Sequence, residues 1–312
     1  MSVVDQITRL SNAKAAIKTS IENKGVTVSN DVKLDAYPAL IDSIEAGGGS
    51  GETHVNPEFY DLRTQNGTDF DHLFANIHFG FGSFDESFIQ FIENLDTSKV
   101  TNMDYTFSNT GWSFAPRKYL DLSKWKTDNI TTASYAFYSS SYIQSISLAG
   151  CNFSNLEEMD NMFYYCDSLI TIDFSGCDTS KVTRVNSMFN YCKNLTTVTG
   201  ELDLSGLTNG FYPASYDNPV SYCNKLETLY LKNIYKKCTM TNDSKWSINL
   251  SPTKIKDSCL LYIIDQLPNL YEKGITNNTN IVLTLPPTNT LTQEQVQVAL
   301  DKGWQVANVN FS

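Results

Sequence analysis

From Leu95 to Leu231 the apolar and polar residues alternate in short bursts that recur at a fixed interval. Leu120-Asp121-Leu122-Ser123, Ile146-Ser147-Leu148-Ala149-Gly150-Cys151 and Ile172-Asp173-Phe174-Ser175-Gly176-Cys177 start 26 residues apart. The same interval separates Ala136-Phe137, Met162-Phe163 and Met188-Phe189, and also Tyr165-Cys166 and Tyr191-Cys192. Alternation with period two predicts a short strand in each unit, with Ile172 and Phe174 pointing inward and Asp173 and Ser175 outward. A turn and an irregular or short helical return complete the unit. One unit alone leaves an apolar face bare, so neighbours must stack to close a core.

The phase extends outward with some drift. Leu95-Asp96-Thr97-Ser98-Lys99-Val100-Thr101-Asn102-Met103 lies 25 residues upstream of Leu120, with Phe107 in the Met-Phe slot. Leu202-Asp203-Leu204-Ser205 opens a longer unit, in which Tyr222-Cys223 and Leu226 restore the phase, and Leu229-Tyr230-Leu231 opens another. Phe70 to Phe91 reads as a degenerate first repeat or cap. A period of 25–30 residues that opens on a strand is that of a leucine-rich repeat. The predicted fold class is therefore a repeat solenoid, α/β, with parallel strands and irregular or short helical returns behind a small helical N-terminal module.

The repeat signature is Leu-Asp-x-Ser, then Thr-Ser-Lys-Val-Thr-x-(Met/Val) at 97–103 and 179–185, then Met-Phe-x-x-Cys-x-x-Leu. It resembles the BspA-like leucine-rich repeats over about residues 93–235. The unit at 120–142 departs from the motif at Ala136 and Ser139-Ser140. That resemblance implies a bacterial surface adhesin or a protein of a bacteriophage or prophage. Downstream, Ile281–Pro286, Leu291–Gln295 and Lys302-Gly303-Trp304 look like the strand-helix-strand cap that ends such repeats in phage proteins. Thr292 and Gln295 predict a capping box for a helix over 293–301.

The first 46 residues carry a different period. Ile7, Leu10, Ala13, Ile17 and Ile21 share one helical face, and Leu34, Tyr37, Leu40, Ile41 and Ile44 another. Neither stripe can be buried by two helices this short, so both need a partner. Gly47-Gly48-Gly49-Ser50-Gly51 follows as a flexible tether. The organisation expected is a helical anchor or oligomerisation module at 1–46, a linker at 47–56, a cap or degenerate repeat at 57–94, repeats at 95–235 and a C-terminal cap region at 236–312. The anchor also resembles the start of many phage tail and fibre proteins.

Composition narrows the function. The net charge of −11 leaves no basic patch for nucleic acid. No apolar run approaches the roughly 18–20 residues needed to cross a bilayer. The N-terminus has neither the basic nor the apolar region of a signal peptide, which favours a virion protein assembled in the bacterial cytoplasm over an exported adhesin. The charged fraction is only 18%, with 17 Tyr and 17 Phe, and such a surface suits binding better than metabolism.

The chemical candidates are few. Cys151, Cys166, Cys177, Cys192, Cys223, Cys238 and Cys259 include no Cys-x-x-Cys and four keep the repeat register, so they predict a core ladder of free thiols and no metal site. Asp96, Asp121, Asp173 and Asp203 form an acidic stripe. Paired carboxylates are what a glycosidase uses, but an active site is singular, and a repeated outward position is more simply solvated or hydrogen-bonded to the next turn. His54, His72 and His78 come with no nucleophile motif. No catalysis and no cofactor are expected. Trp112, Trp125, Tyr138, Tyr142, Tyr164, Tyr212 and Tyr216 lie off the inward strand positions; many of them pack the convex side, and several exposed together would become recognition contacts. The insertion Gly206–Val220 is a natural specificity loop.

The expected function is a bacteriophage tail or head fibre or decoration protein, a homo-oligomer. Residues 1–46 would dock on virion proteins through Ile7, Leu10, Ile17, Ile21, Leu34, Tyr37, Leu40, Ile41 and Ile44. The repeats would bind a host glycan or protein through Asp121, Ser147, Asp173, Asp203, Tyr230, Tyr212 and Tyr216. A virion spacer without receptor and a bacterial adhesin are the alternatives.

Overall fold

The computed structural model describes residues 69–75, 86–111, 118–208, 211, 218–241, 243–276 and 280–309. The expected anchor 1–46 with its nine interface residues, the linker 47–56, His54, His78, Trp112, Tyr212 and Tyr216 lie outside the described residues.

Within them the chain is built mostly of parallel strands with few helices, an α/β arrangement compatible with a repeat solenoid. Helix α1 (Glu86–Glu93) precedes five strands: β1 (Tyr119–Asp121), β2 (Ser145–Ser147), β3 (Thr171–Asp173), β4 (Thr197–Asp203) and β5 (Thr228–Lys232). These form one parallel sheet in sequence order. Leu120 pairs with Ile146, Ile146 with Ile172 and Ile172 with Val198, so the 26-residue phase is the pairing register. These four side chains are buried, as are Leu122, Leu148 and Phe174 two positions later. Strands β1 and β3 stop after three residues because an Asx turn follows. Asp121 accepts the Ser123 N–H at 2.9 Å and Asp173 the Ser175 N–H at 2.8 Å.

A second parallel ladder runs along the stack. Asp69, Asn102, Thr132, Glu158 and Arg184 pair in turn through single bridges. Residues 69–75 thus stack on residues 102–110 as a further rung. From each bridge the chain curls, and alternate N–H groups reach the next rung. Phe74, Phe107, Phe137 and Phe163 donate to the carbonyls of Thr106, Ala136, Met162 and Met188 at 2.7–2.9 Å. The curl needs two left-handed residues per rung. One column holds His72, Tyr105, Tyr135, Asn161 and Ser187, the other Asn109, Ser139, Tyr165, Tyr191 and Tyr222, with φ between +54° and +63°. Between the two ladders lies the core. Its spine is Phe74, Phe107, Phe137, Phe163 and Phe189, each ring stacked on the next at 5.0–5.8 Å.

The cysteines do more than fill space. Cys166, Cys192 and Cys223 donate their thiols to the carbonyls of Phe137, Phe163 and Phe189 one rung back, at 2.9–3.0 Å. Ser140 and Thr110 make the same bond from the same column, to Phe107 and Phe74. The departure from the motif at Ser140 is therefore a conservative one: any small hydrogen-bond donor closes the rung. Cys151, Cys177 and Cys238 bond back to Leu122, Leu148 and Leu207 in the same manner. All seven cysteines are free.

The longer unit is accommodated by a register shift in β4 between Thr197 and Glu201, where Gly200 has φ +83°. After β5 comes a second parallel sheet, in the order β6 (Ser247–Asn249), β7 (Val282–Thr284), β8 (Gln305–Ala307). Helix α2 (Asp257–Gln266) packs on β5 and on α3 (Gln293–Asp301). Thr292 and Gln295 cap α3 with the reciprocal bonds that their spacing predicts. Lys302 donates to the Ile264 and Asp265 carbonyls, meeting the free acceptors at the end of α2. Trp125, one of the aromatics off the inward strand positions, is among those that pack inside. Its ring packs on Phe70 and Phe107, and its indole N–H donates to the Ile92 carbonyl at 2.9 Å, sealing α1 to the stack.

Candidate binding surface

Two surfaces run along the stack, and Asp121, Ser147, Asp173, Asp203 and Tyr230, the expected binding residues that are described, lie on the sheet face. On the outer face of the sheet, Asp121, Asp173 and Asp203 are half-buried at strand ends. Besides its Asx bond, Asp173 accepts the Thr199 hydroxyl at 2.7 Å, and Asp203 accepts the Ser205 N–H and the Asn233 side chain, each at 2.9 Å. Burial works to raise the Asp121 and Asp173 carboxyls. Bonds from Ser123, Ser175 and Thr199 outweigh it and hold both below the ordinary value. Ser147 is buried, and its hydroxyl faces the Ala149 N–H. Tyr230 is half-buried with its ring edge-on to Tyr262 at 5.3 Å, and Tyr262 donates to Glu201 at 2.7 Å. The aspartates therefore hold turns and neighbouring rungs together, and the stripe comes from that repeated duty.

The other surface is aromatic. The two left-handed columns place their side chains side by side along the stack. His72 stacks on Tyr105 at 4.5 Å and Tyr105 on Tyr135 at 4.7 Å. Tyr138 continues from Tyr135 and stacks on Tyr164 at 5.7 Å. Tyr164 abuts Tyr165 and Tyr191, and Tyr165, Tyr191 and Tyr222 form a closing stack at 4.4 and 4.3 Å. Eight rings thus make one continuous ridge. It is most exposed toward its two ends, at His72 on one and at Tyr165 (38%) and Tyr222 (50%) on the other, with half-buried rings between them.

The stacking decides what the ridge can offer. Rings that cover each other's faces cannot also lie flat on a sugar or another ring. What remains outward is a row of edges and hydroxyls, rigid because few torsions are left free. Along the rim lie pairs that tie rungs together: Lys193 with Asp167 at 3.2 Å, Arg184 with Glu158 at 3.3 Å and with Asp160. These are exposed contacts worth little individually; the exception is the largely buried Asp160, which burial raises above the ordinary value while the Asn186 N–H bond and Arg184 pull it back.

Of the aromatics singled out in the sequence, Tyr138, Tyr142 and Tyr164 belong to this region, while Tyr105, Tyr135, Tyr165, Tyr191 and Tyr222 went unremarked as surface. The recurrence of Tyr before Cys at 165, 191 and 222 was the available signal. The expected specificity loop is largely tied down where described: Leu207, Phe211, Pro219 and Val220 are buried, and the Phe211 N–H bonds the Tyr235 hydroxyl at 3.0 Å. A void of about 10 Å³ lined by Val185, Met188, Leu202 and Val220 lies beneath it, apolar and no larger than a water molecule. Among the described residues no group of three or more His, Cys, Asp or Glu is placed to hold a metal ion, and no helix is long and apolar enough to cross a membrane.

Residues 68–202 match a family described as a Mycoplasma protein of unknown function, DUF285. The matched stretch covers the first bridge through β4, which is the regular part of the stack. No curated protein and no solved structure matches the chain.

Proposed function

We propose that this chain is a BspA-like leucine-rich-repeat solenoid that acts by binding and not by catalysis, displayed on a bacteriophage particle as a fibre or decoration protein. The observation that carries the binding reading is the exposed aromatic ridge. It is continuous, rigid and hydroxyl-bearing, and it lengthens with every rung. A linear ligand lying along the stack would meet the same contacts rung after rung. Extended host-surface polymers, glycan or protein, have that form. In this reading residues 1–46 assemble the oligomer and dock it on virion proteins, and the repeats face the host. The polar residues of the sheet face hold the rungs together, and no cofactor takes part.

One observation favours a spacer instead. The rings cover each other's faces and so stabilise the stack even without a ligand. The similarity to a family described from Mycoplasma favours the alternative of a bacterial protein. Two experiments divide these readings. Labelled full-length chain should be retained on intact host cells or on arrayed surface glycans; retention on neither supports the spacer. Removal of residues 1–51 should leave a soluble head that no longer enters particles, whereas normal incorporation would contradict the anchor role.

A further inference from the structure

We propose that Tyr165, Tyr191 and Tyr222 form an oxidative cross-linking site, at which a one-electron oxidant joins neighbouring tyrosines as dityrosine and staples adjacent rungs of the stack. Two tyrosyl rings couple when both can be oxidised and carbons ortho to their hydroxyls can meet. The geometry supplies the second condition. Ring centroids lie 4.4 Å apart in the Tyr165–Tyr191 pair and 4.3 Å in the Tyr191–Tyr222 pair, with the planes 19° and 16° from parallel. At that separation ring carbons are in van der Waals contact. The Tyr191 and Tyr222 hydroxyls are close enough to interact, so the two oxygens, and the carbons beside them, lie on the same side of the stack. Exposure supplies the first condition: Tyr222 is half exposed and Tyr165 more than a third, so an oxidant in solution reaches the triad at both ends.

The step balances. Each of two phenols gives up one electron and its hydroxyl proton. The two radicals join through ortho carbons, and the hydrogens on those carbons move to the oxygens as the rings regain aromaticity. The net loss is one hydrogen from each tyrosine. With hydrogen peroxide as the oxidant and a haem peroxidase as the one-electron agent, those hydrogens leave in two molecules of water. Backbone disruption is small, because both tyrosines project from equivalent left-handed positions in consecutive rungs. The bond formed between Tyr191 and Tyr222 would bridge the segment in which the repeat is lengthened, where no regular period ties the rungs together.

The test is treatment of dilute full-length chain with haem peroxidase and hydrogen peroxide, followed by peptide mapping. The expected product is monomeric, shows dityrosine fluorescence, and joins the tryptic peptide 185–193 to 194–225 or to 127–181. Fragmentation should localise the bond to Tyr191 with Tyr222 or Tyr165. Tyr191→Phe keeps the ring in the stack and should abolish that product, while Tyr142→Phe, outside the stacked triad, should leave its yield unchanged. Coupling only between molecules, coupling at other tyrosines, or an undiminished yield in Tyr191→Phe would each overturn the proposal. The same reaction on urea-unfolded chain separates geometry from mere abundance of tyrosine: the triad-specific product should disappear there, and its persistence would also overturn the proposal.

Discussion

Two glycines of similar φ show how local the constraints are. Gly150 has φ +77° and open space where a Cβ would be. Gly200 has φ +83°, and a Cβ there would lie 2.5 Å from the Phe174 carbonyl carbon. Gly150→Ala should therefore cost only the left-handed penalty of about 1–2 kcal/mol. Gly200→Ala adds a backbone collision in the middle of β4 and should exceed about 3 kcal/mol. Urea unfolding of the two variants checks this, and equal losses would mean that β4 relaxes at no penalty. Neither difference was legible in the sequence. Both glycines are turn-formers in a list of residues, and only the approach of β3 to β4 distinguishes them. Trp125 teaches the same lesson. It stands off the inward strand positions, yet the indole lies over Phe70 and Phe107 because α1 leaves a slot for it. A partner distant in sequence determined its side.

At the scale of one rung, the thiol column explains why the motif reads Cys, Ser or Thr with equal ease. Cys192→Ser should retain the bond to the Phe163 carbonyl and much of the stability. Cys192→Ala removes that bond while the Phe163 carbonyl keeps the Cys166 N–H, and should cost about 0.5–1.5 kcal/mol in urea unfolding. The column also carries a pH dependence. Burial pushes the Cys151, Cys166, Cys177 and Cys223 thiols up to about 12 and Cys238 to about 11, and raises Cys192 as well. An unfolded chain loses these protons above its ordinary value of 9.0, while the native chain keeps them. The unfolded state thus binds fewer protons in that window, and stability falls as pH rises from about 9 toward 12. Below pH 9 the thiols impose no dependence. Thermal midpoints measured from pH 7 to 11 should stay flat and then drop, and a Cys192→Ser variant should drop less steeply. The strands themselves were readable from period two and the 26-residue interval, because those register the inward pairing directly. The duty of the aspartates was readable only as one of two alternatives, because an Asx bond to the second residue on leaves no periodic trace that differs from a solvated position.

Among the described residues, Asp69 to Lys232 form one stack with a ladder on each side and a ridge of rings along one of them, and a second sheet follows. The repeating half of the chain was visible in the sequence, and so was the capping box of the terminal helix. The ridge was not, because its tyrosines sit in two columns that exchange halfway, from His72, Tyr105 and Tyr135 to Tyr165, Tyr191 and Tyr222. Tyr138 and Tyr164 bridge the columns only in three dimensions. If the ridge is what the solenoid displays, a variant must remove the rings without disturbing the curl beneath. The stack itself provides the substitution, since Asn109 holds the same left-handed position in an earlier rung. The decisive measurement is the retention on host cells of full-length chain carrying Tyr165→Asn, Tyr191→Asn and Tyr222→Asn, beside the parent chain and after circular dichroism has shown both folded. A loss of retention by tenfold or more is the result predicted. Equal retention by the two proteins would contradict the ridge as the binding surface.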